Sequence, residues 1–258
     1  MLSLRPYYHP MQSVIPAEEK EVTYTEFLPY ESLRPFIYCY WELKSPPRNT
    51  PFFYRVVVDG CIDLFFDCSN PQMSSLMGYC NTYVEFPITG AFHYVGVRFL
   101  PSAFPLLFGQ DAFEISAQEI PLREVVPALA TFIAEQLESP LSLATIAQRL
   151  DVYFLRHLSQ RPLQIDKRFF SALSQILQSK GSIHISQLDT GISLRQLRRL
   201  FDYYIGDSPK TFSNIVRFQH ILSTKAYHNY SFLDTYYDQA HFIKSFKTFY
   251  GDTPSKVL

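Results

Sequence analysis

SLRQLRRLFDYYIGDSP occupies residues 193–209, and DQAHFIKSFKTFYGDTP occupies residues 238–254. An offset of 45 (238 minus 193) superposes them: Ser193 falls on Asp238, Leu197 on Phe242, Arg199 on Lys244, Phe201 on Phe246, Gly206 on Gly251, Asp207 on Asp252 and Pro209 on Pro254. Each copy reads as one helix followed by the start of another. Ser193 and Asp238 are N-cap residues, whose side-chain oxygens accept from the unpaired N–H groups of a first turn. Leu194, Leu197, Leu200, Phe201 and Tyr204 recur at helical spacing, as do Phe242, Phe246 and Phe249. Gly206 and Gly251 stand where a helix closes in the left-handed conformation. Ser208-Pro209 and Thr253-Pro254 then place an N-cap and a first-position proline. The chain therefore carries an internal repeat of a helix–cap–helix unit.

The other face of each helix is polar. Arg195, Arg198, Arg199 and Asp202 share one side of the first; His241, Lys244, Ser245 and Thr248 share one side of the second, with Gln239 and Ala240 at its start. One such face is commonly just solvated. Its recurrence in a duplicated unit favours a reader of DNA, because a recognition helix presents long donors near its N-terminus to the major groove. Gln196 and Lys247 complete the candidate contact set. A short apolar segment precedes each reader, IHISQLDTG (183–191) and YSFLDTYY (230–237), which makes two helix-turn-helix units. Between them PKTFSNIVRFQHILSTKAY (209–227) places Phe212, Ile215, Val216, Phe218, Gln219 and Leu222 at mostly helical spacing. As a helix this connector would span about 28 Å, close to the roughly 34–36 Å of one DNA turn. Two readers so joined would reach successive major grooves on one face of a duplex.

These residues, over roughly 167–258, resemble the AraC/XylS-type transcription regulators. The resemblance implies base contacts from Arg195, Arg198 and Arg199 in the first reader, and from Gln239, Ala240, His241 and Lys244 in the second. It makes double-stranded DNA and RNA polymerase the expected partners. The chain differs from the family in having Thr235 and Tyr236 where a glycine usually precedes the second reader, and in a short helix upstream of it.

Charge divides the chain at the same place. Residues 167–258 hold 12 Lys and Arg against 6 Asp and no Glu, net +6; residues 1–166 hold 11 Lys and Arg against 18 Asp and Glu, net −7. The overall −1 thus hides a basic C-terminal part suited to phosphate. The opposite charges also predict that the two parts dock on one another, with the N-terminal part masking the readers in a salt-sensitive way. Cys39, Cys61, Cys68 and Cys80 show no metal-site spacing and read as reduced core thiols. No charged-then-apolar leader and no membrane-length apolar run is seen, so the expected location is the cytoplasm.

From about 20 to 115 the signals are strands: FIYCYWEL, YRVVVDGCIDLFFDC and FHYVGVRFL, aromatic and β-branched, broken by Pro, Gly and Asn. Asp59-Gly60 reads as a turn inside a hairpin. Many short strands without intervening helices predict a barrel or sandwich. RVVVDGCIDLFFD and GVRFLPSAFPLLFG resemble the N-terminal sensor domain of a subgroup of AraC-type regulators, with Val58 where that subgroup more often has Pro and Ser102 where it has Gly. This resemblance implies a cupin-like β-barrel with a small-molecule cavity. The fold expected is therefore α+β: an N-terminal sensor and dimerisation domain over 1–160, and an all-α DNA-binding domain over 161–258. Residues 122–137 and 141–160 read as helices, and SQRPLQ (159–164) as the linker. Leu143, Ile146, Leu150, Phe154 and His157 or Leu158 form a stripe that either packs on the barrel or makes a dimer seam.

Arg55, Asp59, Asp63 and Arg98 either line a ligand pocket or make turn and strand-edge hydrogen bonds. His9, His93 and His157 are too scattered to suggest a metal cupin, and neither a nucleophile–base pattern nor a phosphate-binding loop appears. No cofactor and no catalytic residue is expected. The reading is a sequence-specific transcription regulator controlled by a small molecule or by dimerisation. The alternative is a ligand-binding or enzymatic barrel whose DNA-binding part has degenerated.

Overall fold

Aromatic and β-branched runs in the N-terminal part form eight strands in the computed structural model, which describes residues 4–138, 140–160, 162–224 and 238–257. They are β1 Thr23–Phe27, β2 Ile37–Ser45, β3 Phe52–Val56, β4 Ile62–Asp67, β5 Asn70–Met77, β6 Val84–Ile88, β7 Phe92–Phe99 and β8 Glu119–Pro121. Six make an antiparallel sheet in the order β1-β2-β7-β4-β5-β8, and β3 pairs only with β6 in a second, two-stranded sheet. Asp59-Gly60 is therefore a turn but not a hairpin turn, because β3 and β4 go to different sheets. Asp59 holds the turn by accepting from the Cys61 N–H at 2.9 Å.

Strand alternation sorts the side chains into two cores. On β7, Phe92 and Tyr94 turn toward the two-stranded sheet and join Cys39, Trp41, Leu43, Phe52 and Tyr54. Val95, Val97 and Phe99 turn the other way, toward helices. Gly96 is required by close approach: Trp41 sits opposite it, and a Cβ there would lie 2.2 Å from the indole Cε2. On the helical side, α1 Ala103–Phe108, α2 Leu122–Val125, α3 Pro127–Gln136 and α4 Leu143–Gln160 pack over the sheet. Phe99 meets Phe104 at 5.4 Å and Phe154 at 5.7 Å between ring centroids.

The α4 stripe has one fate. Leu143, Ile146, Leu150 and Phe154 are buried in the chain's own core, and the His157 ring approaches the Leu107 carbonyl at 2.9 Å. These residues pack on the sheet's helices rather than forming a seam with a second copy.

Ser102, which stands where the resembled subgroup more often has glycine, precedes α1 in the left-handed conformation (φ 71°), and its buried hydroxyl has no hydrogen-bond partner among the described residues. Both features oppose a non-glycine residue. Ser102→Gly is expected to stabilise the protein by about 1 kcal/mol, read as a higher denaturation midpoint at unchanged slope; an equal or lower midpoint would count against the strain.

The C-terminal part is helical: α5 Lys167–Gln178, α6 Leu194–Ile205, α7 Pro209–Thr224, α8 Gln239–Tyr250 and α9 Pro254–Val257. The repeat is preserved in three dimensions. Ser193 and Gln196 form a reciprocal capping box on α6, and Asp238 accepts from the His241 N–H on α8. Both helices close on a left-handed glycine, Gly206 at φ 99° and Gly251 at φ 93°. The segment upstream of α6 is shorter than a helix. It is a 3-10 turn over Ile185–Gln187, tied to α5 by Gln175, which donates to the Asp189 carbonyl and accepts from its N–H. The connector α7 is helical from Pro209 to Thr224. The expected helix at 230–237, with Thr235 and Tyr236, and the end of the connector at 225–227 lie outside the described residues.

The N- and C-terminal parts share one continuous apolar core. Buried Gln219 on α7 joins them: its amide donates to the Met11 and Val58 carbonyls, and its oxygen accepts from the Met11 N–H. The Val58 N–H donates to the Phe249 carbonyl on α8, and the Ala112 N–H to the Tyr203 carbonyl on α6. Among the described residues each ion pair lies within one part, from Arg98–Glu26 in the N-terminal part to Lys256–Asp252 in the C-terminal part. The parts dock through apolar surface and hydrogen bonds, one of them from the Asn81 amide to the Asp207 carboxylate.

Candidate nucleic-acid interface

α6 and α8 are both anchored at their C-terminal ends. A Cβ on Gly206 would fall 2.2 Å from the Ser116 Oγ, and one on Gly251 would fall 2.7 Å from the Tyr83 ring. The Asn81 amide donates to Asp207 at 3.1 Å, and the Tyr83 N–H to the Thr248 carbonyl. One loop of the N-terminal part, residues 78–83, thus touches the capping turn of both repeats. Their apolar stripes face inward: Leu197, Phe201, Tyr204 and Ile205 on α6, and Phe242, Phe246 and Phe249 on α8.

That anchoring leaves the opposite faces in water. Arg195, Gln196, Arg198, Arg199, Gln239, Ala240, His241, Lys244 and Lys247 are all exposed. The N-terminal part does not cover them, so the expected masking by direct contact is not what the docking produces. Gln196 already has a structural task, since its side chain accepts from the Ser193 N–H at 3.1 Å. Arg195, Arg198, Arg199, His241 and Lys244 project from N-terminal and middle turns, where the helix dipole adds positive potential at the start, and Lys247 from the last turn of α8.

Leu194 departs from the apolar stripe to which its spacing assigned it. It is 57% exposed, and Ile243 on α8 is 38% exposed. Both stand among the polar groups, where an apolar side chain can meet a thymine methyl. The signal for Leu194 was its place at the first helical position, before the buried stripe begins at Leu197.

The four ligand-pocket candidates divide. Arg98 is 1% exposed and pairs with Asp63 at 2.9 Å and Asp59 at 3.4 Å. Burial pushes the Asp63 carboxyl up to about 6, against the pull of Arg98. Burial disfavours the charge on Arg98, yet Asp63 and Asp59 hold its pKa well above the usual value. Arg55 is elsewhere, at the surface with Glu85 at 3.0 Å and over the Tyr83 ring. Asp59 is the link to the helices. It adjoins Val58, whose N–H and carbonyl bond Phe249 and Gln219, and its own carbonyl accepts from the Tyr8 hydroxyl.

A family model described as a domain of unknown function, DUF6597, matches residues 25–121, which spans β1 to β8. No curated protein sequence matches the chain. Among solved structures the chain is similar to ToxT from Vibrio cholerae O395, with 10% identity and a TM-score of 0.39, over 92% of this chain and 97% of that one. A likeness at this identity and score says nothing of activity.

Proposed function

We propose that the protein is a sequence-specific DNA-binding transcription regulator rather than an enzyme. Two helix-turn-helix units read DNA through α6 and α8, and the N-terminal two-sheet unit is a cupin-like sensor for a small molecule. The observation that carries this is the exposed cationic face present twice, on helices of one repeat, both fixed by their glycine caps to the same body. A helix held at its C-terminus and free at its N-terminus is placed to enter a major groove. Because the sensor touches both capping turns, its ligand acts on how the two readers are set relative to each other rather than by uncovering them. The protein acts in the cytoplasm with RNA polymerase as partner. Any homodimer would use surfaces other than the α4 stripe. Among the described residues no helix is long and apolar enough to cross a membrane.

The test is selection of bound sequences from a random duplex pool with the full chain, followed by footprinting. The expected result is an enriched site protected over about two helical turns on one face. Lys244→Ala should remove protection from one turn and leave the other. Failure to enrich any sequence sinks the proposal; one short patch indifferent to Lys244→Ala makes α8 a scaffold.

A further inference from the structure

We propose that the cavity between the two sheets binds a small organic cation carrying an apolar, preferably aromatic, body. This rests on the sensor reading above and names the class of ligand the sensor takes. The cavity measures about 330 Å3, at the lower end of small-molecule sites. Both sheets contribute aromatic rings to its lining: Trp41, Phe65 and Tyr94 from the large sheet, and Tyr54 and Phe86 from the small one. Aromatic faces attract cations, most strongly where water is displaced.

The electrostatics point the same way. Asp63 and Glu119 are the charged residues of the lining, and no Lys, Arg or His joins them among the described residues. Behind Asp63, the single buried guanidinium of Arg98 is shared by three carboxylates: Asp63 at 2.9 Å, Asp59 at 3.4 Å and Glu26 at 3.8 Å. Asp59 and Asp63 are the two sheltered carboxylates and Glu26 is 39% exposed, so one guanidinium faces two sheltered acids and the cavity side stays on the negative side of neutral before Glu119 is counted. An anion would meet this excess at close range; a cation would offset it.

The aromatic wall is held in place by packing. Trp41 is 5% exposed, and Gly96 seats its indole, as the missing Cβ leaves room for Cε2 and Nε1. The ligand class is therefore an organic cation with an apolar body.

Trp41 is the single tryptophan of the chain, so its emission reports on the cavity in the intact protein without DNA. Three probes of equal size separate the chemistries: phenethylammonium, phenethyl alcohol and phenylacetate. Phenethylammonium should change Trp41 emission with an affinity about tenfold or more above that of phenethyl alcohol, and phenylacetate should be weakest. Glu119→Gln, at an exposed position, should lower the affinity for the cation more than that for the alcohol. Equal or tighter binding of the alcohol or the carboxylate overturns the proposal, and so does unchanged emission with all three. Since no DNA is present, this result and the outcome of the DNA selection fail or succeed separately.

Discussion

Replacing Arg195, Arg198 and Arg199 together with alanine is expected to weaken specific DNA binding by at least about 3 kcal/mol, more than a hundredfold. Arg198 and Arg199 follow Arg195 by three and four residues on one exposed face of α6, and each base-edge contact contributes about 1–3 kcal/mol. Those that meet phosphate instead lower the salt dependence, by about 0.9 in the logarithmic slope for each phosphate left without its arginine. Arg199→Ala alone should cost about 1–3 kcal/mol and relax preference at one or two base pairs. Because the apolar stripe of α6 is untouched, thermal stability should stay near that of the parent protein. Affinity within twofold or so of the parent, measured at one salt concentration on the selected site, would remove α6 from the interface.

Phe201→Ala should lower folding stability by about 3–5 kcal/mol. The ring is fully buried, with Phe169 at 5.1 Å and Phe212 at 6.1 Å between centroids, so truncation opens a void among three helices. Its repeat mate Phe246 is equally buried, against Phe218 at 5.5 Å and Phe242 at 5.7 Å, and Phe246→Ala should cost a similar amount. Since the N- and C-terminal parts share one apolar core, both variants should shift a single denaturation transition, followed by Trp41 emission and by helix signal alike. Two separated transitions, or a loss below about 1 kcal/mol at either phenylalanine, would mean that the shared core is not formed.

The helices of the repeat were legible because their determinants are local. Ser193, Gly206 and Pro209, with their partners Asp238, Gly251 and Pro254, fix starts and stops within a few residues of each other. The strands were legible for the same reason, as composition and breakers are read along the chain. What depends on partners distant in sequence was not. Nothing in VVVDGCID says that β3 leaves β4 to pair with β6. Arg55 and Arg98 look alike in sequence, yet one lies at the surface and the other is sealed beneath Asp63. The α4 stripe could have served a second copy or the chain itself, and only the position of Phe99 and Phe108 decides between them. Opposite net charges correctly suggested that the two parts meet. They suggested the wrong contacts, because net charge says nothing of where apolar surface such as Phe212 and Phe249 will find its neighbours.

Tyr8, Met11 and Gln12, whose side-chain amide donates to the Val57 carbonyl and accepts from the Val57 N–H, form a strap with a consequence for how the chain is made. Tyr8 packs near Phe212, and Met11 bonds a side chain 208 residues later, at Gln219. Residues 8–12 therefore wait during synthesis for residue 219 before they have a place to lie. At about 5–20 residues per second that delay is about 10–40 s, long enough for the two-sheet unit to form first with its Val57–Gly60 edge uncovered. A nascent chain stalled before Gln219 should therefore carry the Tyr8–Gln12 segment open to a protease that the finished protein resists.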